Sequence, residues 1–339
     1  MNIIIRKCRL ILSQLACVVT VVAAMPAQAQ LLAGEQTATI TALPGVIAAD
    51  VHWELVWAGF ETADGIVATA DGGVLFAQEQ TDTIRKLDAN NNEFVYMKNV
   101  SGPGALSIDA QGRVYSVLRT CTDSSKWHYQ SCNELTKVVQ LAPESKVLLS
   151  SFPDGRSLGR LNDLIADGKG GVYFTVGGAY YVNAEGKMSV VAEDKNLSTN
   201  GIMLSRDGKT LYVTNNKVVV AFDVAKDGTT SNRRDFVTLN GDDGADGMAI
   251  DSEGRLYITG SKGIHVASEK GAYLGLIPTK RRPITLAFAG ADKSILYAPS
   301  MGAVGPDGKA WATPTGTRNV AMTVYRIKLQ SHGFAGRPK

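Results

Sequence analysis

The stretch RLNDLIADGKGGVYFT, Arg160 to Thr175, decides how the rest of the chain is read. A polar pair, Asn162-Asp163, heads a short apolar run; a turn follows, and a second apolar run begins at Val172-Tyr173. Short apolar runs bounded by Asp and Gly turns mark a β-hairpin. The same hairpin returns in TADGGVLFA, DAQGRVYSV, SRDGKTLYVT, DSEGRLYITG and GADKSILYAP. Its strand pairs begin at Leu75, Val114, Val172, Leu211, Leu256 and Leu296, so the gaps are 39, 58, 39, 45 and 40 residues. Long amphipathic helical stretches are missing. Four strands per unit at this period predict an all-β chain, a six-bladed β-propeller with four antiparallel strands per blade. The last unit carries three strands of its own, ending in AMTVYRIKL, and HWELVWAGF ahead of the first unit is expected to close the ring as the fourth. A pair of β-sandwiches is the alternative, but it does not account for the even repeat.

The first strand of a propeller blade lines the central channel. Residues in one register at the start of those strands therefore form a ring. Counting back ten or eleven residues from each strand pair gives Asp64, Gly104, Asn162, Asn200, Asp246 and Thr285. Each Asp-Gly, Asn-Gly or Asn-Asp taken singly is an ordinary turn pair. The shared register of Asp64, Asn162, Asn200 and Asp246 is what points to a site. Oxygen donors of this kind suit a hard divalent cation, Ca²⁺ first, with Zn²⁺, Mg²⁺ or Mn²⁺ as alternatives. Asp71, Asp109, Asp167, Asp207 and Asp251 fall in the turn after the first strand, at the opposite face, and are expected to be turn formers. The four histidines read as strand-end or surface residues, with His128 alone a candidate for chemistry.

The chain opens with MNIIIRKCRLILSQLACVVTVVAAMPAQAQ, a basic start, an apolar stretch and a small-residue site at Ala27-Gln28-Ala29. This pattern predicts a secretory signal over 1–29, cleaved near Ala29, and a single propeller domain over 30–339 in a periplasm or outside the cell. The apolar run is short for a membrane span, and none is expected in the mature chain. Removing the three basic residues of the leader from 35 leaves 32 against 32 acidic ones. That neutral balance argues against a nucleic-acid surface. Cys121 and Cys132 remain after cleavage, and an oxidising compartment favours their pairing as a disulfide.

The 58-residue gap marks an insertion of roughly twenty residues, RTCTDSSKWHYQSCNELTK, beside the second blade. Strand directions place it, with Gly302–Asn319 of the last blade, on the face of the ring. Trp127, His128, Tyr129 and Trp311 are the candidate substrate contacts in these two loops.

RLNDLIADGKGGVYFT, TNGIMLSRDGKTLYVTNN, ADGMAIDSEGRLYITG and ITLAFAGADKSILYAP together resemble successive blades of the regucalcin (senescence marker protein) and gluconolactonase family. The resemblance runs from about Trp53 to Leu329. It implies a six-bladed propeller with a divalent metal in its channel, held by the residues matching Asp64, Asn200 and Asp246. It implies that Asn162 meets the metal water or substrate, that Arg160 binds substrate, and that Asp246 activates water or attacks. The implied activity is hydrolysis of lactones or related esters; the alternative is an inactive propeller that binds a sugar or another small ligand. Two departures stand out. The family's first acid is usually Glu, and here it is Asp64; Gly104 stands where the second blade often carries Asn.

Overall fold

The structure is a computed structural model that describes residues 31–119, 136–302, 304–305, 307–309, 312–313, 316–317 and 321–336. Its six four-stranded antiparallel sheets are the blades of a six-bladed β-propeller. The inner strands are Ile66–Ala68, Pro103–Ile108, Leu164–Ala166, Thr199–Leu204, Ala245–Ile250 and Ala287–Ala289. The second strands are Val74–Gln78, Val114–Leu118, Val172–Thr175, Thr210–Asn215, Leu256–Gly260 and Ile295–Met301. Among the described residues the helical content is one short 3₁₀ turn, Glu79–Thr81.

The ring closes as the sequence suggests. Glu54–Ala58 pairs antiparallel with Ala321–Lys328 as the outermost strand of the last blade. Glu54 lies opposite Arg326, and their side chains form an ion pair at 2.8 Å. Pairing a strand that precedes the first blade with one from the last blade ties the two ends of the ring together.

Apolar side chains fill the spaces between blades. The aromatic residue of each strand pair recurs there: Phe76, Tyr115, Tyr173, Tyr257 and Tyr297 are among the largest fully buried side chains. Tyr257 meets Phe288 of the next blade edge-on, with ring centroids 5.0 Å apart. The Tyr173 hydroxyl donates to the Gly228 carbonyl of the following blade at 2.8 Å. Burying one such ring contributes roughly 1.5–3 kcal/mol, so the repeat is itself the main source of cohesion. The segment before the first blade adds Ile40, Val46, Ile47 and Trp53 to the cluster under the last two blades. This scaffold fixes the inner-strand starts around one axis.

The turn aspartates behave as turn formers. Asp109 Oδ1 accepts from the backbone amides of Gln111 and Arg113 at 3.0 Å each, and Asp251 Oδ1 from Glu253 and Arg255 at 2.9 Å each. His265 departs from the sequence reading. It is wholly buried in the third strand of the fifth blade, with Nε2 3.2 Å from Asp242 and Nδ1 3.0 Å from the Tyr273 hydroxyl. Only a strand with both faces covered, as between two blades, hides a histidine in this way; His52 and His332 are exposed, as expected.

Candidate active site

The starts of the inner strands are irregular, and this aims the ring residues. Register shifts fall between Pro103 and Leu106, Thr199 and Ile202, and Ala245 and Met248. Such bulges re-aim a side chain out of the ladder. The glycines after Asp64, Asn200 and Asp246 have a second cause. A β-carbon at Gly201 would lie 2.3 Å from the Asp246 carbonyl oxygen, and one at Gly247 would lie 2.7 Å from Thr285 Oγ1. The Asp-Gly and Asn-Gly pairs therefore let adjacent inner strands meet at the axis, and they are not turns. In the third blade Asp163 takes the glycine's place. It accepts from the Leu164 amide at 2.8 Å and from the Ile202 amide of the next blade at 3.2 Å, which explains the Asn-Asp of the opening stretch.

Asp64, Asn162, Asn200 and Asp246 line one cavity of about 310 Å³, with Arg160 at its edge. The Asn162 Nδ2 donates to Asn200 Oδ1 at 2.8 Å. Asp246 is half-buried among the blades, and its carboxyl is pushed up to about 7. Burial is the main cause and the Asp64 carboxylate the next; Arg282 and Arg119 pull it partly back. A carboxyl poised there can take a proton from water near neutral pH.

Three charged residues of the site were not legible as site residues: Arg119, Glu79 and Arg282. Arg119 follows the second strand of blade 2 and Glu79 follows that of blade 1, and both are buried. Arg119 Nη1 pairs with Asp64 Oδ2 and lies 3.4 Å from Glu79 Oε2. Its Nε donates to the Leu161 carbonyl and its Nη2 to the Asn162 carbonyl, at 2.9 Å each. Burial alone would lower the Arg119 pKa, but Asp64 and Glu79 outweigh that and raise it, so the guanidinium stays charged. Glu79 in turn grips Arg160 through both oxygens at 2.8 Å each. Charge thus alternates along the rim: Asp64, Arg119, Glu79, Arg160. Gly104 makes room for this arrangement. A β-carbon there would lie 2.4 Å from Arg119 Nε and 2.6 Å from Cζ.

The donor set does not fit a divalent cation. Asp64 Oδ1 accepts from the Gly65 amide at 2.9 Å and Oδ2 from Arg119, so both oxygens are engaged. The Asn200 oxygen faces an N–H of Asn162. A dication and a guanidinium ~4 Å apart repel by about 8 kcal/mol at an effective dielectric of ~20. At equal spacing that cancels the attraction of one carboxylate. Thr285 is buried, with Oγ1 packed close to Gly247. Trp127, His128, Tyr129, Trp311, Cys121 and Cys132 lie outside the described residues.

Residues 107–302 match the family described as SMP-30/Gluconolactonase/LRE-like region, more than half of the chain. The chain belongs to this family. The match spans Arg119, Arg160, Asn162, Asn200, Asp246 and Arg282, and begins after Asp64 and Glu79. Lactonase drp35 of Staphylococcus saprophyticus is 34% identical over 134 residues, which are 34% of this chain and 41% of that protein. A gluconolactonase from Xanthomonas campestris has the same fold, with a TM-score of 0.66 at 18% identity over 90% of this chain and 99% of that one. A calcium-binding protein, regucalcin, from Agrobacterium tumefaciens superposes with a TM-score of 0.58 at 16% identity, over 82% of this chain and 95% of that one.

Proposed function

We propose that this protein hydrolyses lactones or related carboxylic esters in the channel cavity. The observation that carries the reading is the meeting of Asp246, its carboxyl held up at about 7, with Asn162, Asn200 and Arg160 around one cavity. Membership of a family with lactonases supports it. In the reaction Asp246 accepts a proton from water while the water oxygen bonds to the carbonyl carbon. The carbonyl oxygen gains charge, and in this reading the Asn162 amide or the Arg160 guanidinium donates to it. The carbon–oxygen bond of the ring then breaks. The leaving oxygen takes the proton back from Asp246, and the product is the hydroxy acid. Arg282 lines the cavity and is exposed, and in this reading it attracts the product carboxylate.

Ca²⁺ dependence, which the resemblance implies, is left out of this reading because Arg119 already engages Asp64. Residues 1–29 are proposed to be a secretory signal, so that the enzyme works in a periplasm or outside the cell; the intact mass of exported protein should start near Gln30. The activity test is a pH-stat assay of the mature protein on sugar lactones, acyl lactones and aryl esters. Turnover of at least one class is the expected result. No turnover on any of them would move the reading to a propeller that binds a small ligand without changing it.

A further inference from the structure

We propose that the Arg119 guanidinium is the resident cation of this channel: it fills the charge position beside Asp64, and the site binds no divalent ion. The inference rests on the hydrolase reading only in placing the cavity at the chemical centre; its metal-binding half is independent of any substrate.

Arg119 is held at every side. It is buried, and its donors reach the Asp64 and Glu79 side chains of blade 1 and the Leu161 and Asn162 carbonyls of blade 3. A side chain with four acceptors from two other blades does not swing away to admit an ion. Gly104 is the complement of this arrangement. The ring position that could have offered an oxygen carries no side chain, and the guanidinium stands where its β-carbon would be. Asp64 fits as well: an acid shorter by one methylene than Glu keeps its carboxylate against Arg119. The two departures in the ring, Asp64 and Gly104, are thus one change seen at two places.

Three guanidiniums, Arg119, Arg160 and exposed Arg282, already offset three of the four carboxylates of this region, Asp64, Glu79, Asp163 and Asp246. A buried guanidinium beside a carboxylate is fixed in place, while a hydrated dication must be stripped of water to enter. Arg119 acts here as a positioning residue. It engages Asp64, and through Glu79 it orders Arg160.

The test reads metal binding directly. The mature protein, stripped with EDTA, is titrated calorimetrically with Ca²⁺, Mg²⁺, Mn²⁺ and Zn²⁺, and its Tm is followed with and without each ion. No stoichiometric binding, and a Tm change under about 1 °C where saturating ligand would give roughly 5 °C, is the expected result. The double variant Arg119→Met with Gly104→Asn removes the guanidinium and adds an amide oxygen. It should gain one Ca²⁺ site, with a Kd roughly 100-fold or more below any binding by the parent. One equivalent of divalent ion on the parent, lost with EDTA and restored by titration, would overturn the proposal. A folded double variant that gains no site would overturn the claim that Arg119 excludes the ion. Should the double variant not fold, the parent titration decides alone. Failure of every lactone assay beside these metal results would sink the hydrolase reading and leave this one standing.

Discussion

Two kinds of carboxylate–arginine pair, at opposite ends of the blades, look alike and do different work. Asp251 pairs with Arg255 at 2.6 Å, four residues along the chain, and Tyr257 donates to the same carboxylate at 3.1 Å. Asp109, Arg113 and Tyr115 repeat the arrangement at 2.6 and 3.3 Å. DSEGRLY and DAQGRVY therefore close on themselves within seven residues. At the channel face Asp64 pairs with Arg119, 55 residues away, and Glu79 with Arg160, 81 residues away. The first kind needs only a turn to form. The second exists only once three blades have packed. Local pairs belong to the fold and distant pairs to the site.

The largest effect expected from breaking this contrast is at Glu79. Glu79→Ala leaves two buried or half-buried guanidiniums facing each other and should cost about 3–5 kcal/mol in denaturant unfolding, with a raised KM because Arg160 is released. Unchanged stability would mean that the rim network is not held together by charge. Next is Asp251→Asn, which removes one charge from a turn that keeps its acceptor; about 1–3 kcal/mol of stability should go, with kcat/KM unchanged. A loss of activity there would erase the division between the two faces. Arg282→Gln sharpens the electrostatics. Arg282 lowers the Asp246 pKa, so its removal raises it further. The proton-accepting form then needs a higher pH, and the acid limb of kcat/KM, near pH 7 in the parent, should move upward. A downward or absent shift would remove Asp246 from the base role. Smallest of all is Arg234→Ala, whose exposed pair with Asp223 at 2.7 Å should change stability by about 0.5 kcal/mol or less.

The same division explains what could be read from the sequence. Hairpins, their period and the closing strand are local or repeated patterns, and each was legible. Asp64, Asn162, Asn200 and Asp246 shared a register, and the cavity brings them together. Arg119 and Glu79 are not legible as site residues, because an Arg and a Glu at strand ends look like solvated surface. A signal existed: both stand just after a second strand, on the face where the inner strands begin. Along the chain Gly104 shows only as a departure from the family's Asn, and the packed structure shows the guanidinium beside it. The glycines of the Asp-Gly pairs read as turn residues for the same reason: a neighbouring blade is invisible along the chain.

The most direct measurement compares Asp246 with Asp251, near the two ends of one inner strand. Initial rates on the best lactone, and Tm, would be taken for the parent, Asp246→Asn and Asp251→Asn. Asp246→Asn should lower kcat by roughly 10²–10⁴-fold with Tm nearly unchanged, while Asp251→Asn lowers Tm and leaves the rate intact. An Asp246→Asn protein that kept its rate within about twofold, where general-base loss predicts at least ~10², would contradict the account.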